Sequence, residues 1–532
     1  MKKLLALILA LIMCLGILAG CDQKPAETKP SETTKPAETT KPAETTAPTE
    51  PEPTEYTFPA GAKLDVYPQG ISSELTAHPL TGFIEDATGL DIEWYSLPTD
   101  GGIVAMLTER VTPSLVASSH TSIVNEYGRY GAFVNLWDYQ DIMPNFFARF
   151  MQEDRQEFQD RYMVSEDELY CAPIFTNGSS SYPGFLVRED IMKELNLEAP
   201  TDWDSFYAVL KAMKEKYPDS YPFTMRNMGG TLGGIEHLCR MFGVNFFVAG
   251  KTNCVLRLDQ ETGKYYESLA TEEARNMLRM LNQLIDEELM DPACMAYNAA
   301  TWMEAMASGH AFVTVDPTWQ YNNIENAGKP LNPDFDLTWW TLFPMVETDL
   351  DPYFAPTVPL NNWSITSNCP DVELACRFLD WLYTDEAVEI MCWGVEGVSY
   401  EVDAEGNKSF KEGFDTTMMA KATLCGEMDF QATLQSYSRE AQEMIMASSA
   451  ASEASNVVID PLLVYDEAGQ FTWDTYAVGY SNVRATYIQQ FILGDIDIND
   501  DEDWQAYLDA LAEQGQAEQI AAAEAAYAAL QG

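Results

Sequence analysis

The sequence predicts an α/β protein built as two lobes or more, and three observations carry that expectation. The chain has 532 residues, whereas a single core stops growing at roughly 250–300 residues. Hydrophobic residues make up 46% and aromatics 12%, enough to fill such cores. From residue 63 onward, strand-like and helix-like periodicities alternate, the pattern of a largely parallel sheet flanked by helices.

The first fifty-odd residues stand apart from that body. Lys2 and Lys3 precede the apolar run Leu4 to Leu18, which reads as a secretory signal. It closes on Leu18-Ala19-Gly20-Cys21, which resembles a bacterial lipobox. That resemblance implies removal of residues 1–20 and diacylation of Cys21. An ordinary signal peptide with a chance cysteine is the alternative. Two acyl chains hold a protein at a membrane where one would be marginal. Met241 to Gly250 is apolar, but half the length that a spanning helix needs. Residues 21–55 then form a Pro/Thr/Glu-rich tether. Lys-Pro-Ala-Glu-Thr-Thr recurs at Lys35 and Lys41, and proline every few residues blocks both helix and sheet.

The body opens with Lys63 to Tyr67 as a strand. Glu74 to Thr88 is a helix stopped by Gly89, and Asp91 to Tyr95 a second strand. Gly101 to Arg110 is a helix and Ser114 to Ala117 a third strand. Ligands bind such sheets beyond the carboxyl ends of the strands. Tyr95, Ser118 and Ser119 occupy those ends and are candidate contacts, and His120 stands beside them or on the surface. Leu169 to Ile174 is a short strand leading to a polar loop with Asn177, a candidate sugar contact or a plain turn. Gly184 to Val187 is a strand and Asp190 to Leu195 a helix. Thr201 caps a helix with Phe206, Leu210 and Met213 on one face.

Gly229 to Gly234 lacks the lysine of a phosphate loop. Arg226 just before it either reaches an acidic sugar or pairs with an acid. Thr271 to Leu289 is a strongly amphipathic helix. Trp302 to Ser308 is a helix and His310 to Val315 a buried strand. Asp316-Pro317-Thr318-Trp319-Gln320 follows at the strand's carboxyl end. Trp319 is the leading stacking candidate, with a core role as the alternative, and Asp316 is a partner for hydroxyls. Trp339 and Trp340 read as core. Leu360 to Thr366 begins another strand, with Asn362 and Trp363 as candidate contacts.

Phe378, Trp381 and Leu382 share a helix face, and Thr384 caps the next helix, which ends near Trp393 and Gly394. Val398 to Val402 has strand character, and Ala404 to Asn407 reads as a hairpin turn. Between them Glu396 stands on a glycine bend beside an indole, a plausible polar and aromatic corner of a site. Asp495 to Asp503 begins like a calcium loop, but Asp500 replaces the glycine and Ala506 the bidentate glutamate. It reads instead as an acidic helix start. Gln516 to Leu530 forms the last helix.

Composition narrows the functions. Lys and Arg number 31 against 83 Asp and Glu, a net charge of −52, which argues against nucleic acid or anionic lipid as a direct partner. The four histidines show no HExxH spacing and no CxxC stands near them, which argues against a zinc hydrolase. No metal, cofactor or catalytic group is expected. Eight cysteines lie beyond Cys21 without metal-ligand spacing. Their apolar neighbours point to mostly free thiols, with disulfides the alternative.

Trp393 to Tyr400 resembles the WGxEGxxY segment of family 1 extracellular solute-binding proteins, the lipoprotein receptors of ABC importers for complex sugars. The resemblance extends to Thr201-Asp202-Trp203-Asp204, Tyr217-Pro218 and Asp503-Trp504, and covers most of the chain after residue 60. It implies a two-lobed periplasmic-binding-protein-like fold of type II, with mixed sheets flanked by helices and a cleft at the hinge. The expected lobes are 56–168 plus about 316–368, and 169–315 plus about 369–532. The implied function is capture of a saccharide, an oligosaccharide above all, and its delivery to an ABC permease. The protein is then a monomer at the extracellular face of the membrane, held only by its lipid. A surface glycoside hydrolase or lyase, or a receptor for a peptide or other solute, is the alternative.

Overall fold

The computed structural model describes residues 58–531, apart from 70–71, 96–102, 104–105, 108–112, 119–120, 177, 179–182, 227–233, 247–255, 354–360, 422, 456, 458–459, 462 and 464. The expected leader, Cys21 and the tether lie outside the described residues.

Nine strands build the two larger sheets: β1 (Lys63–Pro68), β2 (Asp91–Trp94), β3 (Leu115–Ser118), β4 (Ala172–Pro173), β5 (Pro183–Arg188), β6 (Phe223–Thr224), β7 (Val313–Pro317), β8 (Leu337–Trp340) and β9 (Asn362–Ile365). The first sheet runs β2-β1-β3-β9-β4. Its early strands are parallel, and β9 returns antiparallel, with Asn362 opposite Ser118 and Trp363 opposite Ala117. The second sheet runs β8-β5-β7-β6. There β7 lies antiparallel to β5 and parallel to β6, so both sheets are mixed. All residues of β3, β5, β7 and β9 are buried, as central strands covered by helices on both faces must be.

Local chemistry places the helices. The Thr271 side chain accepts from the Ala274 N–H, and Thr384 does the same for Ala387. Asp202 and Ser205 exchange bonds in a reciprocal cap before the helix Trp203–Lys216. Asp500 caps Asp501–Glu513, which confirms an acidic helix start there. Two expectations change. The helix expected over Glu74 to Thr88 is two helices, Ser72–Ala77 and Leu80–Thr88. Pro79 has no N–H to continue the ladder, and His78 Nδ1 takes the Leu80 N–H at 3.1 Å. A helix of 27 residues, Glu467–Leu493, replaces a stretch given no element beforehand.

The buried side chains gather around each sheet. The first core joins β1, β2, β3 and β9 to helices Val372–Trp381 and Asp385–Cys392. The second joins β5, β6 and β7 to Glu272–Asp286, Glu467–Leu493 and Asp501–Glu513. The chain passes from one core to the other between Phe175 and Phe185 and between Tyr353 and Trp363, and after Ala432 it leaves the first core for a smaller cluster that joins Ala441 to Leu186 of β5 and Leu337 of β8. This corrects the expected boundaries. Strand β8, and with it the end of β7 beyond residue 315, pairs in the second sheet rather than lying in the first lobe, and the helices Val372–Trp381 and Asp385–Cys392 pack in the first core rather than the second. Seven cysteines among the described residues, Cys171, Cys239, Cys294, Cys369, Cys376, Cys392 and Cys425, are free and buried.

Candidate functional site

The strand ends that face the crossings carry most of the expected contacts. In the first sheet, β2 ends at Trp94, β3 ends at Ser118, and antiparallel β9 starts beside them at Asn362. In the second, β7 ends at Pro317 and parallel β6 at Thr224, two residues before Arg226.

Arg226 and Asp316 meet each other. The guanidinium donates from Nε to Oδ2 at 2.7 Å and from Nη2 to Oδ1 at 2.8 Å. Its plane lies over the Trp302 ring, 5.1 Å from the centroid. Asp316 is fully buried. Burial pushes its carboxyl up from the usual range, and Arg226 opposes that shift. Both residues are thus committed to a paired brace under the end of β7, which is the pairing alternative for Arg226. Asp316, expected as a partner for hydroxyls, spends both oxygens on the arginine.

Trp319 is placed differently. It stands two residues past β7, immediately before the helix Gln320–Gly328, and is half-buried. All twelve tryptophans lie among the described residues, and eleven belong to or pack against one of the hydrophobic cores. Trp319 joins none of them. An indole that packs on no core leaves a face for something else.

The other expected contacts separate. Trp363 is 1% exposed, and its Nε1 donates to the Cys425 carbonyl at 3.0 Å; it is core, because its side of β9 faces the first core. Asn362 is buried, with Nδ2 donating to Thr121 Oγ1 at 3.0 Å and Oδ1 accepting from the Ser364 hydroxyl at 3.2 Å. Its amide ties β9 to the neighbouring helix. Ser118 is buried opposite it. Tyr95 is half-buried against the first core, with its N–H on the Val66 carbonyl at 2.7 Å. The nearby Glu93 charge raises its phenol. Glu396 is exposed on the turn after Gly394, while Trp393 beside it is buried and donates to Asp429 Oδ2 at 2.7 Å. The carboxylate and the indole therefore point into different surroundings and form no joint corner. Ser119, His120 and Asn177 lie outside the described residues.

One residue went unnoticed in the sequence. His237 is buried, and neither ring nitrogen has a hydrogen-bond partner among the described residues. Burial, with the Arg226 charge added, pulls its pKa down to about 4. Beside it, burial pushes Glu236 up to about 7. No motif signals this pair, because its setting is made by tertiary packing alone.

A family described as bacterial extracellular solute-binding protein matches residues 79–398. Lipoprotein LipO of Bacillus subtilis is 26% identical over 231 residues, 41% of this chain and 44% of that protein. The chain therefore matches less than half the length of that relative. Alginate-binding protein AlgQ2, solved without calcium ion, superposes with a TM-score of 0.67 at 19% identity, covering 88% of this chain and 98% of that one. An HMO-binding, ABC-transporter-associated solute-binding protein from Bifidobacterium longum infantis gives 0.66 at 15% identity, over 88% and 98%. The FusA substrate-binding protein of S. pneumoniae, in complex with kestose, gives 0.66 at 15% identity, over 88% and 99%.

Proposed function

Because the chain belongs to the family of bacterial extracellular solute-binding proteins, we propose that it captures a saccharide between its two lobes. The fold is the two-lobed, mixed-sheet arrangement of such receptors. The observation that carries the ligand class is Trp319, the tryptophan left outside every core. A flat indole stacks on the apolar face of a pyranose while polar neighbours bond its hydroxyls. The saccharides named for the superposed relatives, alginate, HMO and kestose, support the same class.

In this reading Arg226 and Asp316 brace the strand that presents Trp319. Tyr95, Ser119 and Asn177 supply polar contacts from the first lobe and the first crossing, while Ser118, buried opposite Asn362, shapes the strand end. Glu396, exposed, is kept as a rim contact, and Asn362 and Trp363 act by shaping the strand beneath. A ligand that touches both lobes only when they approach shifts a hinge equilibrium, and a permease reads the closed shape. Cys21 anchors the protein by lipid, and the tether lifts it from the membrane. Among the described residues, no helix is long and apolar enough to cross a membrane. Family members of this kind are not enzymes, and the proposal requires no bond to be broken.

Calorimetry with a panel of neutral and acidic oligosaccharides tests it. Stoichiometric binding, with the sugar recovered intact, is the expected result. Hydrolysed product, or no binding across the panel, counts against it.

A further inference from the structure

A cavity of about 210 Å³ opens among Arg240, Asn245, Arg257, Gln260, Asp349 and Asp460. None of these residues was singled out for the saccharide site. Two arginines line it, and both are almost wholly buried. Arg257 pairs with Asp460 at 3.2 Å. Arg240 has no such partner. Its Nε donates to the Asp351 backbone carbonyl at 2.7 Å and its Nη1 to Asn245 Oδ1 at 3.2 Å, both neutral acceptors. No carboxylate stands at ion-pair distance from it among the described residues.

This is an unusual place for a cation with no carboxylate in direct contact. The chain carries 83 acidic residues against 31 basic ones, so an arginine that needs a carboxylate has many to choose from. A buried charge with only neutral partners is costly, and two like charges side by side add to that cost. Burial first, and the Arg257 charge second, lower the Arg240 pKa to about 10, with the Asp351 charge opposing them, which still leaves it charged at neutral pH. Asp349 lies exposed at the rim.

We propose that this cavity binds a small oxyanion, a sulfate, a phosphate or a carboxylate group, on the Arg240 guanidinium. Planar N–H groups suit such oxygens. The cavity is smaller than the roughly 300–1,000 Å³ of a drug-sized ligand site. It therefore takes one anionic group or a small acid, not an oligosaccharide. The group arrives either free in solution or as the acid of a sugar. The inference does not depend on the saccharide reading.

The anion supplied from within is the sharpest test. Asn245→Asp puts a carboxylate on Arg240 at almost no change in shape. Asp349→Asn removes a competing charge at the exposed rim without disturbing the interior. Binding of sodium sulfate, phosphate, acetate and glucuronate is measured by calorimetry and thermal shift, against sodium chloride at equal ionic strength and against glucose. The wild-type protein is expected to be stabilised by at least one oxyanion beyond chloride. Asn245→Asp should weaken that binding about tenfold or more and raise the melting temperature in chloride alone. Asp349→Asn should tighten it. A response to sulfate, phosphate or acetate identifies a site for free anions, and a response to glucuronate alone identifies a sugar-acid pocket. Equal shifts in oxyanion and chloride, or an oxyanion response unchanged in both variants, would overturn the proposal.

Discussion

Arg226 and Asp316 are joined by two parallel hydrogen bonds of 2.7 and 2.8 Å, and both are buried beneath the end of a central strand. The pair holds the backbone from which Trp319 projects. Its energetic meaning lies in what happens when it is halved. Removing one partner leaves the other as a buried, unpaired charge, which costs about 3–5 kcal/mol. Arg226→Ala and Asp316→Ala should each lose about that much stability in urea titrations. The double variant Arg226→Met with Asp316→Leu should lie closer to wild type than either. If the single losses simply add, the two residues do not act as a pair.

Two tryptophans near strand ends should behave in opposite ways. Trp363→Ala empties a core position and should cost about 3–5 kcal/mol of stability. Trp319→Ala touches no core and should leave the unfolding midpoint nearly unchanged, while weakening saccharide binding about tenfold or more. Denaturant titration and calorimetry on the same two variants separate the roles.

Glu236 makes stability depend on pH. Burial raises its folded pKa from 4.5 to about 7, and Arg484 opposes the shift. Between those values the unfolded chain releases a proton that the folded chain keeps. Stability from this group is therefore fully present below pH 4.5 and falls as pH rises to about 7. Wild type minus Glu236→Gln should show that decline, on the order of 1–3 kcal/mol. A flat difference across this range means that Glu236 is ionised in the folded protein.

Gly394 sits at φ 86, and a Cβ there would strike Ser399 Oγ. That hydroxyl is engaged, since it takes the Val395 N–H at 2.7 Å and bonds the Trp393 carbonyl at 2.7 Å. Gly394→Ala should cost about 1–3 kcal/mol. Circular dichroism melts check it, and an unchanged melt would show that the turn relaxes freely.

Much of the fold was legible where the signal is local. The first three strands, the caps at Asp202, Thr271 and Thr384, and the acidic start before Trp504 all follow from neighbours within four residues. The split at Pro79 was missed, although a proline inside an expected helix announces it. The lobe boundaries were missed for another reason. Strand β9 returns to the first sheet across a long excursion, and the Asn362 to Thr121 bond joins residues 241 apart. Periodicity carries no record of such pairings. Helix Glu467–Leu493 escaped because its apolar residues are spread around the helix rather than along one stripe. The same limit governs the site. Trp319 and Trp363 each stand near a strand end in similar company, and only tertiary packing puts one outside the cores and the other inside.

On the proposed function, this chain holds an intact sugar against Trp319. Calorimetric titration of wild type and Trp319→Ala with alginate oligosaccharides, kestose and a milk oligosaccharide tests it most directly. One-to-one binding of at least one of these sugars by the wild type is expected, with its loss in the variant at equal thermal stability. Equal affinity in the two proteins would contradict it.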